Sequence, residues 1–312
     1  MPPCKVLISN DDGIDAPGLR ALTAALVAAD IFDLYVCAPS GERSAQSHAI
    51  TLGRYMTAVA TEISGVKAAF AVDGSPADSV MLALNSSIFG DISFDLVVSG
   101  INRGDNAGLH VIYSGTVGAA REAACKGVPA IALSLDSHSA RAEEDYTMGA
   151  AISVSIVKAM LGLVAGQDPH ATARPSTVLE GSVLNVNYPA QTAAPHTGLY
   201  LTEQSTSCVF PAFQEVKEAA GPHMAEIEEH TPNARMFRNY FGHVRKDEIL
   251  GNDSWALKHN WVSVTPLGLR QDIPGRMVDD AASHSRIAAT GAVLTAAAKD
   301  AGISVGGWAA KL

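Results

Sequence analysis

The sequence predicts an α/β protein with a Rossmann-like three-layer fold, in which helices cover both faces of a mostly parallel sheet. A β-branched apolar run at residues 5–9 is followed by leucines at helical spacing, Leu19, Leu22 and Leu26, and then by a second apolar strand at 34–38. This strand–helix–strand order is typical of the right-handed βαβ unit of parallel sheets. Further apolar runs alternate with helix-like segments, at residues 94–99, 128–133 and 183–188.

Length and charge limit the classes of function. A chain of 312 residues with 47% hydrophobic content can bury the core of one large domain, or of one domain with an elaboration. Its formal net charge of -10 and pI near 5.4 argue against broad nucleic-acid binding, which requires a basic surface. A small anionic substrate would therefore need a local binding site for its negative charge, formed by a metal ion or by backbone amides.

No targeting or membrane segment is predicted. The apolar run at residues 6–9 is too short for the core of a signal peptide, and no segment is long enough to span a bilayer. The four cysteines lie far apart and form no Cys-x-x-Cys pair, which is typical of thiols in a reducing compartment. We expect a soluble cytoplasmic protein that does not bind membranes.

Two helix starts carry recognisable signals. Asp15 precedes a helix with Pro17 in its first turn, so we expect Asp15 to cap that helix. Ser75 and Asp78 have the spacing of a capping box, with Pro76 at the first helical position. We favour this capping role over a ligand contact for Ser75 and Asp78.

The chain divides into three predicted parts. Residues 1–190 form the Rossmann-like catalytic core, with a Gly- and Pro-containing surface loop at 166–176. Residues 191–260 are irregular and charged without a clear sheet pattern, which suggests an arm used for oligomerisation. Residues 261–312 contain a strand and a helix around 277–300 that complete the fold or pack on a partner subunit.

Two adjacent carboxylates mark the candidate active site. Asn10, Asp11 and Asp12 follow the first strand, and open α/β sheets bind ligands beyond the carboxyl ends of their strands. The neighbouring negative charges repel each other, and a hard divalent cation would compensate them most directly. The alternative is that Asp-Asp-Gly is simply a polar turn.

Two further loops supply oxygen atoms. Ser44, with Ser47 and His48, follows the second strand, and Asn102, with Asn106, follows the third strong strand. If these strands are parallel neighbours, their loops converge on one edge of the sheet. Two carboxylates, a hydroxyl and an amide oxygen, completed by water, would suit a six-coordinate ion such as Mg²⁺ or Mn²⁺.

A predicted helix N-terminus offers an anion site. Ser114, Gly115 and Thr116 begin this helix, where unpaired N–H groups and the helix dipole favour a phosphate, although a plain helix cap is the alternative. His48 and His110 could protonate a leaving group. Because solitary loop histidines are more often solvated or structural, we leave both out of the predicted catalytic set.

Seven short motifs run in order along nearly the whole chain. They lie at residues 9–14 with 16–18, 38–39 with 42–44, 74–78, 99–104, 113–117, 184–187 and 262–267. Together they resemble the SurE-type survival proteins, a family of metal-dependent 5′/3′-nucleotidases with a Rossmann-like core. Asp105 departs from this pattern, since many members have proline there.

The resemblance implies roles for particular residues. It implies one divalent metal ion per subunit, Mg²⁺ or Mn²⁺ above others, held by Asp11, Asp12, Ser44 and Asn102. It further implies that the substrate phosphate contacts Asn102, Ser114, Gly115 and Thr116. Family members form dimers or tetramers through swapped C-terminal elements, so a homodimer or homotetramer is expected.

We therefore expect a phosphomonoesterase that hydrolyses nucleoside 5′-monophosphates, with 3′-monophosphates left open, to nucleoside and inorganic phosphate. Water is the favoured nucleophile, with Asp11 or Asp12 as proton acceptor. One alternative is a non-catalytic protein that binds or senses nucleotides through the same metal. A second alternative, ranked third after these two functions, is a zinc-dependent hydrolase of N-acyl sugars, which would ordinarily require histidine ligands.

Overall fold

The structure, a computed structural model, describes residues 2–164, 181–190, 196–216, 235–269 and 281–307. The predicted surface loop at 166–176 and the start of the predicted last helix, residues 277–280, lie outside the described residues.

Ten strands form one sheet and two form a separate hairpin. In chain order they are β1 (Cys4–Ser9), β2 (Phe32–Pro39), β3 (Ala58–Ala60), β4 (Ala68–Val72), β5 (Leu96–Arg103), β6 (Ala130–Leu135), β7 (Ser182–Tyr188), β8 (Gly198–Leu201), β9 (Cys208–Val216), β10 (Met236–Arg245), β11 (Val262–Gly268) and β12 (Ser304–Gly307). The spatial order of the main sheet is β12-β8-β11-β7-β6-β5-β1-β2-β4-β3. Its central six strands, from β7 to β4, are all parallel.

Helices cover both faces of this sheet. The described α-helices are α1 (Pro17–Ala28), α2 (Pro76–Asn85), α3 (His110–Tyr113), α4 (Gly115–Cys125), α5 (Thr147–Met160), α6 (Asp253–Lys258) and α7 (Ala281–Ala301), with a 3₁₀ turn at Glu143–Tyr146. None of these helices is both long and apolar enough to cross a bilayer.

Alternate residues of β1 pack into two different cores. Val6 and Ile8 belong to the core that contains Leu22 of α1, whereas Leu7 belongs to the core that contains Val80 of α2 and Val117 of α4. Successive strand residues point to opposite faces, so a strand buried on both sides needs a continuous apolar run. The predicted α/β fold with three layers and a mostly parallel sheet is confirmed.

The strand order positions the candidate site. β1 lies between β2 and β5, and the chain first adds β2 and β4 on one side before it adds β5, β6 and β7 on the other. Ligands of such sheets bind at this switch point, beyond the carboxyl ends of the two strands where the order reverses. Here those strands are β1, which Asp11 and Asp12 follow, and β5, which contains Asn102 near its end.

One of the two cap predictions is confirmed and the other is wrong. Ser75 Oγ accepts a hydrogen bond from Asp78 N at 3.0 Å, and Asp78 Oδ2 accepts one from Ser75 N at 2.8 Å, which completes the capping box. The N-cap of α1 is Ala16, without a side-chain cap. Asp15 lies one residue before that position, and its exposed carboxylate instead accepts a hydrogen bond from Arg20.

The expectation of an irregular segment at 191–260 is wrong where the structure describes it. β8 joins the main sheet, and β9 and β10 pair with each other as an antiparallel hairpin. Both faces of the hairpin carry exposed side chains, so it lacks the apolar–polar alternation that marks a half-buried strand. The division into parts 1–190, 191–260 and 261–312 stays a prediction.

Candidate functional site

The two aspartates at the end of β1 contact different elements. Asp11 is buried, and its Oδ1 accepts a hydrogen bond from the hydroxyl of Thr116 in α4. Asp12 Oδ2 accepts a hydrogen bond from the backbone N–H of Arg103, in the last position of β5, at 2.9 Å. The pair therefore connects the N-terminal turn of α4 to the switch point of the sheet.

Burial makes the negative charge of both aspartates unfavourable. Burial and, to a smaller extent, the adjacent charge of Asp12 raise the pKa of Asp11 to about 7, although the hydrogen bond from Thr116 opposes the shift. Burial also raises the pKa of Asp12. A divalent cation would relieve both effects, so the carboxylates fit a metal site rather than a simple polar turn.

Asn102 presents its amide oxygen. Its Nδ2 donates to the carbonyl oxygen of Gly104 at 2.8 Å, whereas its Oδ1 accepts no hydrogen bond from the part of the chain that the structure describes. Because the nitrogen is engaged, the oxygen is the atom left to bind a ligand. Asn102 is only 9% exposed and lies within β5, which extends beyond the predicted strand.

Ser44 is connected to the aspartates through a short network. Its hydroxyl donates to Glu42 Oε1 at 3.1 Å, and the same oxygen accepts a hydrogen bond from Arg103 Nη2 at 3.1 Å. Because Arg103 also donates its backbone N–H to Asp12, the network leads from Ser44 to the aspartate pair. The hydroxyl of Ser44 donates its proton, so its lone pairs stay available to a cation.

The donor set consists of oxygens. Among the described residues, no three histidine, cysteine or acidic side chains are grouped so that they could hold a metal ion. A site built on Asp11 and Asp12 therefore requires neutral donors as well, and Ser44 and Asn102 offer the hydroxyl and amide oxygens that Mg²⁺ or Mn²⁺ accepts. The assignment of these four residues as metal ligands stays a prediction.

The predicted anion site begins a separate helix. α3 ends at Tyr113, and Ser114 is the N-cap of α4, its Oγ accepting a hydrogen bond from Val117 N at 3.0 Å. The cap role of Ser114 is thus observed. Gly115 and Thr116 place the first turn against Asp11, where the N–H groups that lack helical partners can reach a bound phosphate. Phosphate contact by Ser114, Gly115 and Thr116 stays a prediction.

The histidines and Asn106 have structural partners. His48 Nε2 lies 2.9 Å from Glu122 Oε2 on α4, and this contact fixes the loop that carries Ser44. His110 Nδ1 lies 3.0 Å from Asp105 Oδ1, so the residue that replaces the common proline anchors α3. The other predicted loop residue, Asn106, is buried and donates its Nδ2 to Ser134 Oγ at 2.7 Å.

Sequence reasoning missed four polar residues at the site. Arg103 and Glu42 lie in two of the motifs found in the sequence, and their opposite charges could have indicated that they pair. Arg141 and Tyr146 lie with Asp12 around one cavity, although no motif marks them. Only the packing of the 3₁₀ turn beside α1 brings Tyr146 to the aspartates.

Metal affinity is expected to depend on pH through Asp11. Between the ordinary pKa of 3.8 and the raised value of about 7, the folded metal-free protein binds more protons than the unfolded chain. Its free energy of unfolding therefore falls as pH rises through this interval, and the cation must displace a proton. We expect Mg²⁺ or Mn²⁺ affinity, measured by calorimetry, to rise from about pH 5 to about pH 7 and then level off.

Thr116→Val tests this assignment. Loss of the hydroxyl removes a hydrogen bond that lowers the pKa of Asp11, so the affinity profile should move to higher pH. Thr116→Ser keeps the hydroxyl and is the matched control. Identical profiles for Thr116→Val and the unchanged protein would contradict the role of Asp11 in metal binding.

Comparison with known proteins agrees with this geometry. The model of the family "Survival protein SurE" matches residues 6–210. A 5′-nucleotidase SurE of Natranaerobius thermophilus is 34% identical over 84% of this chain and 92% of its own length. A 5′-nucleotidase SurE of Thermococcus kodakarensis is 35% identical over 85% of this chain and 92% of its own.

A solved structure is also similar. The crystal structure of a SurE protein from Aquifex aeolicus matches with a TM-score of 0.64 at 29% identity, over 88% of this chain and 96% of that one. The similarity covers both β1, which the two aspartates follow, and the Ser-Gly-Thr start of α4. The chain belongs to the survival protein SurE family.

Proposed function

We propose that this protein is a metal-dependent phosphomonoesterase that hydrolyses nucleoside 5′-monophosphates to nucleoside and inorganic phosphate, with 3′-monophosphates as the second substrate class to be tested. The observation that carries the proposal is the contact between Asp11 and the first turn of α4, through Thr116 and Gly115. With this contact, the proposed cation site and the proposed phosphate site would lie side by side. The names of the relatives, 5′-nucleotidase SurE, support the same reaction.

Different residues bind the metal ion, orient the phosphate and accept a proton in the proposed in-line displacement. Asp11, Asp12, Ser44 and Asn102 would hold one Mg²⁺ or Mn²⁺ per subunit, which would neutralise phosphoryl oxygens and lower the pKa of water. The N–H groups of Gly115 and Thr116 orient the phosphate along the axis of α4. Asp11 or Asp12 accepts the proton of the attacking water, the P–O bond to the nucleoside breaks, and the leaving oxygen takes up a proton from solvent to give the nucleoside.

The test is phosphate release from a panel of nucleoside monophosphates. The protein is stripped with EDTA, and Mg²⁺ or Mn²⁺ is then restored. We expect release only with metal, because two neighbouring carboxylates without a cation, one buried and one half-buried, would repel the phosphate. Metal-dependent nucleotide binding without any release would instead favour the non-catalytic nucleotide sensor.

The hairpin supports a homodimer or homotetramer. Within the described residues, β9 and β10 pair only with each other, and they expose Phe213, Phe237, Tyr240 and Phe241 by 52% to 84%. An isolated two-stranded hairpin is marginally stable in water, so a second copy of this chain is the partner that we propose. No broad nucleic-acid binding is expected from the acidic composition.

Phe241→Asp is expected to lower the oligomer mass. Phe241 is 84% exposed, and a buried carboxylate at a contact between copies would have no partner. Light scattering should show the shift, whereas Leu52→Asp, at a residue 81% exposed outside the hairpin, should leave the mass unchanged. A monomeric unmodified protein, or an unchanged mass for Phe241→Asp, would contradict the proposed hairpin contact.

We also place the enzyme in the cytoplasm. Cys37, Cys125 and Cys208 are thiols rather than disulfides, which fits a reducing compartment. Fractionation of cells that produce the protein would test this location, with recovery in an oxidising compartment as the contrary result.

A further inference from the structure

A cavity of about 140 Å³ lies beside Asp12 and is not used by the chemistry described above. Its wall is formed by Pro17 at the start of α1, Arg103 at the end of β5, and Arg141 and Tyr146 from the segment before α5. Substrate pockets for drug-sized molecules usually exceed about 300 Å³, so this cavity suits one part of a nucleotide.

The cavity and the predicted phosphate site adjoin different members of the aspartate pair. Asp11 contacts Gly115 and Thr116 of α4, whereas Asp12 contacts Arg103 and lines the cavity. No residue of α4 lines the cavity. A substrate with its phosphate at the first turn of α4 can therefore extend its organic part past Asp12 into the cavity.

One charged group of the cavity wall remains available to a ligand. Arg103 donates to Glu42 at 3.1 Å, and Asp12 is assigned to the metal ion. Arg141 is the remaining charged group of the wall, and Ala140 and Pro17 add apolar surface. This combination favours a ring that carries hydrogen-bond acceptors.

Tyr146 supplies an unpaired polar group at this wall. The residue is 2% exposed and lines the cavity, and its hydroxyl makes no hydrogen bond to any residue that the structure describes. The hydroxyl is therefore available to a ligand in the cavity. A phenol is protonated at neutral pH, so it can donate this hydrogen bond.

Arg141 is held in place beside it. Its Nη1 donates to the carbonyl oxygens of His138 at 2.6 Å and Ala140 at 2.8 Å. These bonds engage one of the guanidinium nitrogens and orient the planar group. The remaining N–H groups can donate to a ligand in the cavity without a large entropy cost.

We propose that this cavity binds the nucleoside part of the substrate, and that Arg141 and the hydroxyl of Tyr146 donate hydrogen bonds to it. The inference rests on the proposed nucleotidase function and names the part of the protein that distinguishes a nucleotide from other phosphate monoesters. Both residues are specificity determinants rather than catalytic residues for phosphoryl transfer, because the phosphate lies on the other side of the aspartates.

Arg141→Gln and Tyr146→Phe test the proposal with two substrates. Each variant should raise KM for nucleoside monophosphates about tenfold, whereas kcat/KM for methyl phosphate, which has neither a nucleoside nor a ring to enter the cavity, should change by less than about twofold. Arg20→Gln is the matched control, since Arg20 pairs with Asp15 at the surface. Calorimetry with adenosine and guanosine, without turnover, should show about tenfold weaker binding to both cavity variants.

The possible results distinguish a failure of the proposed nucleoside site from a failure of the proposed nucleotidase function. If the unmodified protein hydrolyses nucleoside monophosphates but both variants keep its KM and nucleoside affinity, the cavity is not the nucleoside site and the nucleotidase function stands. Equal losses on both substrates would also overturn the inference, because they indicate a general structural defect. If the unmodified protein releases no phosphate from any nucleotide, the proposed function and the inference both fail.

Discussion

Asp12→Asn is expected to reduce metal-dependent phosphate release by more than about 100-fold. The amide keeps the shape of the side chain, and its oxygen can still accept the N–H of Arg103. It removes one of only two negative charges in the predicted ligand set, so both metal affinity and proton acceptance should suffer. Inorganic phosphate release from nucleoside monophosphates, across a range of Mg²⁺ and Mn²⁺ concentrations, measures the loss.

The variant should nevertheless fold. Burial raises the pKa of Asp12, so at neutral pH its charge destabilises the metal-free folded state. A neutral amide removes this penalty, and the melting temperature of metal-free Asp12→Asn should equal or exceed that of the unmodified protein. Because Asp12 is protonated in both states at low pH, the difference should vanish as pH falls towards the ordinary value of 3.8.

Asp15→Asn is the matched control. Asp15 lies three residues further along the chain, and its carboxylate pairs with Arg20 at the surface. The same chemical change there should leave phosphate release unaffected. Full activity in Asp12→Asn, or an equal loss in Asp15→Asn, would contradict the placement of the metal on the aspartate pair.

Local rules predicted the elements that carry the site. The leucines of α1 and the apolar run of β1 indicate which residues are buried, because the leucines follow the spacing of one helix face and the continuous run is typical of a strand buried on both faces. The position of Asp11 and Asp12 at a strand end followed from the same pattern. The convergence of the loops of β1, β2 and β5 depended only on these strands being parallel neighbours, which the sheet confirms.

Long-range packing could not be predicted from the sequence. Nothing in the residues around Tyr146 indicates that it lines a cavity together with Asp12, because this depends on how the 3₁₀ turn lies beside α1. The predicted cap of α1 was wrong by one residue, since Ala16 rather than Asp15 occupies the N-cap position before Pro17. The hairpin was missed because its exposed aromatic residues, such as Phe213 and Phe241, have no buried face to create alternation.

Gly115→Ala is expected to reduce kcat/KM by about 100-fold, because reacting groups displaced by about 1 Å can cost that much. A methyl group at this position would lie 2.8 Å from Asp11 Cβ, 2.9 Å from Asp11 Oδ2 and 3.0 Å from Pro76 Cγ. Pro76 is fixed by the capping box of α2, so Asp11 or the first turn of α4 must move. Either movement separates the predicted metal ligand from the predicted phosphate site.

The free energy of unfolding should change much less than the activity. Alanine is favoured over glycine within a helix by about 1 kcal/mol, whereas inserting a methyl group into a packed site costs about 1 to 3 kcal/mol. These effects oppose each other, so the variant should fold with a modestly lower melting temperature. Metal affinity should fall together with kcat/KM, because the same carboxylate is displaced.

Gly41→Ala distinguishes this effect from a general intolerance of substitution. A methyl group at Gly41 would meet no atom within 4 Å, and its backbone is outside the left-handed region. Its activity and metal affinity should match those of the unmodified protein. If Gly115→Ala were equally active, close contact between α4 and Asp11 would not be required for turnover, and the phosphate would have to bind elsewhere.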